Sequence, residues 1–250
     1  MAIPIVFGSY SKLTERVIRN SAKLVYRQGQ FYLQAVVEVP EAHLQEAQDF
    51  LGVDLGIVSL ATTSEGQVFS GQQVDAVRER YTGLKARLQK AGTKSAKRHL
   101  KKISGQEKRF KRNTNHIVSK QIVSVAKALG LGIALEELSG FKTTVRKAQR
   151  EQFGKWAFGQ LAAYITYKAA IAGIEVVKVD PRNTSRTCSE CGHCEKLNRK
   201  SQAVFKCKRC GHSSNADLNA AKNIAARAFV NRLIVSGQPR NKPTTLVVGH

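Results

Sequence analysis

The stretch Gly52-Val-Asp-Leu-Gly-Ile-Val-Ser-Leu-Ala-Thr-Thr-Ser-Glu-Gly66 decides how the rest of the chain is read. It sets one acid, Asp54, inside an apolar, β-branched run. Strands deplete aspartate, and a carboxylate taken out of water is costly unless cations or hydrogen-bond donors meet it. Asp54 therefore calls for a partner, and a metal ion is one candidate. Gly56, two residues on, leaves room for a backbone or a phosphate to approach, and would serve a plain bend equally well.

Working outward, Gln67 to Gly71 is expected to be the antiparallel partner of the Asp54 strand across the Ser64-Glu65-Gly66 turn. On the other side, Lys23 to Val39 alternates about a turn at Arg27 to Gln30 and predicts a β-hairpin. Two or three strands cannot bury their own apolar face, so nothing before Pro40 makes a complete domain. From Val74 to about Lys127 the apolar period becomes helical, with interruptions expected near Ala91 to Lys94 and near Ser104 to Gly105. Leu129 to Leu138 is a short apolar strand ending in Glu136 and Glu137. A basic loop, Phe141 to Trp156, leads to an amphipathic helix over Ala157 to Ala172. There Phe158, Leu161, Tyr164, Ile165 and Lys168 step at helical spacing, which assigns the aromatics to the core. Gly173 ends that helix, and Ile174 to Pro181 is a further buried strand. Strand, basic helical insert, strand, helix, strand makes an α/β sheet.

The 250 residues carry 41 Lys and Arg against 18 Asp and Glu, a formal charge of +23, and 42% hydrophobic residues. The apolar content suffices for a core, and the charge calls for a polyanionic partner. No window approaches the roughly 18 to 20 apolar residues that span a bilayer, so nucleic acid is favoured over lipid. The N-terminal residues lack the pattern of a secretory signal, which predicts a reducing, cytoplasmic setting beside the nucleoid and thiols rather than disulfides. Between Arg78 and Arg112 stand fourteen Lys or Arg and two Glu. With so few compensating acids, Arg78, Arg80, Lys85, Arg87, Lys97, Arg98, Lys101, Lys102, Lys108, Arg109, Lys111 and Arg112 are candidates for a phosphate-tracking surface rather than a merely solvated face.

The most specific local signal is Cys188-x-x-Cys191 and, fifteen residues later, Cys207-x-x-Cys210, each pair followed by a glycine. This is zinc-ribbon spacing, and four thiolates satisfy a tetrahedral Zn²⁺ whose binding would fold a segment with almost no core of its own. Cys194 and His193 are left outside that ligand set. After the ribbon, Asp217 precedes an alanine-rich helix, where it would serve as a cap or as a ligand. An acid in a first strand, an acid ending a later strand and an acid opening a final helix is also how RNase H-type nucleases assemble a site for two Mg²⁺ ions.

At these same residues the chain resembles a known family. VDLGIVSLAT with Asp54, IALEEL with Glu136, TCSECG, KCKRCG and DLNAAKNI with Asp217 are similar to the TnpB (OrfB) proteins of bacterial insertion sequences, relatives of the type V CRISPR effectors. The resemblance covers roughly Ala22 to Arg227. It implies a RuvC-like domain interrupted by a zinc ribbon, and an RNA-guided DNA endonuclease traditionally called a transposase. Carried over, Asp54, Glu136 and Asp217 would be the catalytic Mg²⁺-binding residues, and Cys188, Cys191, Cys207 and Cys210 the zinc ligands. The helical insert with Asn115 and His116 would lie along a guide–target heteroduplex. Two departures stand out: Asn215 replaces the first acid of an Asp-x-Asp pattern, and full members carry a long further segment ahead of the RuvC domain.

The expected organisation is a partial wedge-like β-barrel over 1–50, a RuvC/RNase H-like α/β core over 51–181 with its basic insert at 74–127, a zinc ribbon at 182–214, the last RuvC segment at 215–230 and a flexible tail at 231–250. The expected activity is two-metal hydrolysis of DNA leaving 5′-phosphate and 3′-hydroxyl ends, with guide RNA choosing the sequence. The alternatives are a truncated nucleic-acid-binding protein without cleavage and an accessory of transposition that binds element ends.

Overall fold

The computed structural model describes residues 18–27, 29–38, 42–44, 46–56, 58–137 and 158–235. The basic loop at 141–156 and the tail beyond 235 lie outside them. The chain divides into two units, one up to His43 and one from Leu44 onward.

The first unit is the expected hairpin. β1 (Ile18–Arg27) pairs antiparallel with β2 (Gln30–Val37), with Arg27 opposite Gln30. Tyr26 and Phe31 form a cross-strand pair with ring centroids 4.8 Å apart, the kind of contact that stabilises a two-stranded ribbon.

The second unit is a five-stranded mixed sheet of order β5-β4-β3-β6-β7. The Gly52–Gly66 stretch proves to be a hairpin in itself. β3 (Phe50–Asp54) turns into β4 (Ser59–Thr63), which pairs back on it with Asp54 opposite Thr62. A Cβ on Gly56 would stand 2.8 Å from the Ser59 carbonyl, so this glycine serves the bend. Gln67 to Gly71 accordingly pairs with a different strand from the one expected: β5 (Val68–Ser70) is the partner of β4. The Ser64–Gly66 turn sits one strand further from Asp54 than a single long strand would put it. β6 (Gly132–Glu136) runs parallel to β3, with Val53 beside Leu135, and β7 (Val176–Val179) parallel to β6.

Helices cover both faces, and strand parity explains which residues meet them. Leu51, Val53, Ile133 and Leu135 point to one face, where they join Val118, Ile122, Leu161 and Ile165. Those residues come from α2 (Lys94–Leu129) and α3 (Phe158–Ile171). Phe50, Ala134 and Val179 take the other face with Ile224 and Ala228 of α4 (Ala216–Val235). That second face is built from small residues, and α4 comes very close. A Cβ on Gly52 would lie 2.0 Å from the Ala221 carbonyl oxygen, a spacing only glycine permits.

α1 (Gln72–Ala91) and α2 form the basic insert, broken at Gly92-Thr93, where the Thr93 hydroxyl caps the Ala96 N–H at 3.1 Å. The second expected interruption is absent. α2 runs unbroken through Ser104 and Gly105 for 36 residues, because fully buried Ile103 and the ion pairs of Glu107 hold that turn against its neighbours.

Candidate active site and metal centre

Strand parity also delivers the carboxylates. Asp54 shares the face of Phe50 and Gly52, and Glu136 that of Gly132 and Ala134, so both acids sit on the α4 side at the carboxyl ends of adjacent parallel strands. Asp217 stands in the first turn of α4, the helix pressed onto Gly52. The cap of that helix is not Asp217. Asn215 Oδ1 accepts from the N–H groups of Asp217 at 2.9 Å and Leu218 at 3.2 Å, which leaves the Asp217 carboxylate free for other duty. Its nearest counter-charge is Arg199, from the ribbon, at 3.6 Å.

The electrostatics follow from burial. Loss of hydration, then the charges of Glu136 and Asp217, push the Asp54 carboxyl up to about 8, with Arg199 opposing. Burial likewise raises Glu136, against the Thr184 hydroxyl bond and the Arg227 charge, which lower it. Asp54, buried and facing two further acids, stands in a corner short of positive charge. Hard oxygen donors of this kind suit a divalent cation such as Mg²⁺.

The four cysteines form a second centre. Their sulfurs all lie within 4.8 Å of one another, the one such group of three or more ligand residues among the described residues. Cys188 and Cys210 are 3.7 Å apart and Cys191 and Cys207 3.6 Å. A tetrahedron with Zn–S bonds of about 2.3 Å has edges of about 3.8 Å, so the thiols fit zinc. Each pair is held in a tight knuckle. Gly192 N–H donates to the Cys188 carbonyl and Gly211 N–H to that of Cys207, both glycines at positive φ. The Cys210 N–H holds the Cys207 thiol down at about 6, while the neighbouring sulfurs and burial outweigh the His212 N–H and push Cys210 up to about 12. A cation would let all four ionise. Cys194 is exposed and outside the cluster, and the His193 ring faces Glu195 at 3.2 Å.

Sequence reasoning missed the side chains that tie the two centres together. Asn198, fully buried, donates to the Arg186 and His193 carbonyls and accepts from the Lys208 N–H, joining the two knuckles. Asn219 and Asn223 of α4 reach the Thr187 and Thr184 carbonyls, and Arg227 reaches that of Asp180 at 2.6 Å. Thr184 in turn donates to Glu136 Oε1 at 2.6 Å. The spacing of 219, 223 and 227, one polar residue per helical turn on an otherwise alanine-rich helix, is the signal that could have found them.

The basic insert is only partly a free surface. Lys85 and Lys111 both bind Glu107, the first across the α1–α2 pair and the second at 3.0 Å, and Arg78 pairs with Asp75 at 2.9 Å. Of these pairs the Lys85–Glu107 contact joins the two helices, and the other two lie within one helix each. Arg80, Arg87, Lys97, Arg98, Lys101, Lys102, Lys108, Arg109 and Arg112 are exposed. Asn115 is fully buried against Gln160, and His116 stacks on Tyr164 with centroids 4.1 Å apart. Tyr164 thus lies at the edge of the core, unlike Leu161 and Ile165 inside it.

Fold and centres define the class first: a mixed α/β domain with a central sheet and a four-cysteine cluster. A solved Cas12f1–sgRNA–target DNA complex superposes on 82% of this chain and 55% of that one, with TM-score 0.59 at 21% identity. The family follows from the sequence. Residues 34–138 match the profile described as OrfB_IS605, probable transposase, and residues 158–224 that of the Cas12f1-like TNB domain. The chain belongs to this TnpB (OrfB) and Cas12f family. It is 31% identical to the CRISPR-associated endodeoxyribonuclease Cas12f1 of Sulfoacidibacillus thermotolerans, over 88% of this chain and 54% of that one. It is 34% identical to the TnpB-like protein MJ0751 of Methanocaldococcus jannaschii, over 50% of this chain and 45% of that one. The chain thus spans about half the length of the curated relatives it matches. Among the described residues no helix is long and apolar enough to cross a membrane.

Proposed function

We propose that this chain is the RuvC-like nuclease portion of an RNA-guided DNA endonuclease. The observation that carries the reading is the convergence of Asp54, Glu136 and Asp217 on one face at the strand ends, with Asp54 raised to about 8 by burial and by its two acidic neighbours. Mg²⁺ bound there would supply an activated water and stabilise the leaving oxygen of a phosphodiester. The chain's own part is to hold the carboxylates rigid on two buried strands and one helix. Zn²⁺ on Cys188, Cys191, Cys207 and Cys210 would keep the ribbon folded, and with it Arg199 at the edge of the site. The exposed cations of the α1–α2 insert would track the phosphates of a guide–target heteroduplex. The hairpin belongs, on this reading, to a wedge-like β-barrel.

The test is Mg²⁺-dependent cleavage of single-stranded DNA by the purified protein, with and without co-expressed RNA, beside Asp54→Ala. Cleavage lost in the variant supports the nuclease, and dependence on RNA supports guidance. A second reading, a nucleic-acid binder without cleavage, rests on the exposed cations of the α1–α2 insert, which need no catalytic site to hold phosphates. It predicts tight, salt-sensitive binding and intact substrate.

A further inference from the structure

Thr184 occupies an unusual place for a hydroxyl. It is 4% exposed, lies just ahead of the first cysteine knuckle, and donates at 2.6 Å to Oε1 of Glu136, a residue remote in sequence. A bond of that length to a carboxylate is of the strong, charge-assisted type. The backbone around it is fastened from the other side. Asn223, buried on α4, donates to the Thr184 carbonyl at 2.8 Å and to the Thr187 carbonyl at 2.7 Å. Asn219 adds a bond to Thr187 and accepts from the Ser189 N–H at 3.0 Å. Cys188 lies between those two anchor points. The segment from Thr184 to Ser189 is thereby clamped to the helix that carries Asp217, and its first residue grips the carboxylate of Glu136.

Packing alone does not require this arrangement. A valine would fill the same volume; the hydroxyl adds one donor with two acceptors in reach, Glu136 Oε1 at 2.6 Å and the Pro181 carbonyl at 3.1 Å, and the carboxylate is much the nearer. Fixing Oε1 restrains the plane of the carboxylate and leaves the second oxygen as the one available to a cation, the part that outer partners of ligating carboxylates play. We propose that Thr184, steadied by Asn223, is a positioning residue that orients the Glu136 carboxylate for divalent-cation binding and couples that orientation to the start of the zinc ribbon. This rests on the reading of Asp54, Glu136 and Asp217 as a cation site.

The test is Mn²⁺ binding, followed by electron paramagnetic resonance on the full zinc-loaded chain without nucleic acid. The chains compared are the parent, Asp54→Asn, Thr184→Val and Thr184→Ser, each checked for zinc content and melting. Second-partner losses at metal sites run to about tenfold or more in affinity. Thr184→Val is expected to weaken Mn²⁺ binding by about tenfold with zinc content unchanged, and Thr184→Ser, which keeps the donor, to stay within about twofold of the parent. Parent-like Mn²⁺ affinity in Thr184→Val overturns the positioning role alone. Equal weakening in Thr184→Ser also overturns it, since packing rather than the hydroxyl would then be responsible. Absence of Mn²⁺ binding by the parent overturns the cation-site reading and this inference with it. Should Thr184→Val fail to fold, Thr184→Ala takes its place: Mn²⁺ binding weakened there by about tenfold but not in Thr184→Ser supports the role, and parent-like affinity in Thr184→Ala overturns it.

Discussion

The central sheet and the cysteine ribbon serve one corner of the molecule and are held together by opposite means. The sheet has apolar side chains on both faces, with Leu51, Val53, Ile133 and Leu135 fully buried against two helices. The ribbon's cluster is little more than Phe205, Ala216 and the cysteines themselves. One is a hydrophobic core that sets its carboxylates by strand register. The other is a polar weave of Asn198, backbone carbonyls and thiols, with four sulfurs grouped closely enough to hold a cation. The difference teaches which contacts depend on what: Asp54 and Glu136 rest on burial, whereas Arg199 reaches Asp217 and Thr184 reaches Glu136 from within or beside the ribbon.

The comparison is broken most forcefully by removing zinc. Chelation, or Cys207→Ser, is expected to abolish a contribution on the order of 10 kcal/mol to the ribbon's fold. Hydrogen exchange should then show lost amide protection over 188–215 with β3 and β6 still protected; equal loss in the strands would refute the division. Next in size is Gly52→Ala, whose methyl meets the Ala221 carbonyl. Overpacking of this kind costs about 3 kcal/mol, read as a lower urea midpoint. Here the sheet side should fail while the isolated thiol cluster keeps its zinc.

Smaller still is the effect of Asp54. Unfolded, it releases its proton near pH 4; folded and without cations, only at about 8. The unfolded chain therefore binds fewer protons across that window, so this group makes cation-free stability fall as pH rises from about 4 to 8. Asp54→Asn should flatten that slope and raise the melting temperature at pH 7.5 by about 3–6 °C, checked by calorimetry in chelator-treated, zinc-reloaded protein. The smallest effect is expected from Glu107→Gln, which unties Lys85 and Lys111. Half-exposed pairs of this sort contribute about 1 kcal/mol or less, visible as a shift of at most a few degrees in melting.

Much of this was legible in residues. The Cys-x-x-Cys pairs, the hairpin, the acid in a β-branched run and the helix over 158–171 all announce themselves through spacing or period. Three things did not. The stretch after Gly52 reads as one strand because its apolar run is continuous, yet the bend at Gly56 splits it into two. Ser104 and Gly105 look like a break, yet tertiary contacts at Ile103 and Glu107 override weak local propensity. Asp217 reads equally as cap or ligand, and it is Asn215 that caps the helix, since either residue type can cap and only the turn geometry chooses between them.

The close seat of α4 on Gly52 has a consequence for biosynthesis. A chain emerging from the ribosome lays down β3 first and β6 after a long helical excursion, so the parallel pair bearing Asp54 and Glu136 can form while α4 is still unmade. The helix that seals that face and brings Asp217 is the last of the described elements to be translated. A nascent chain therefore holds two of the three acids without the third, and the corner becomes complete only when the final helix docks.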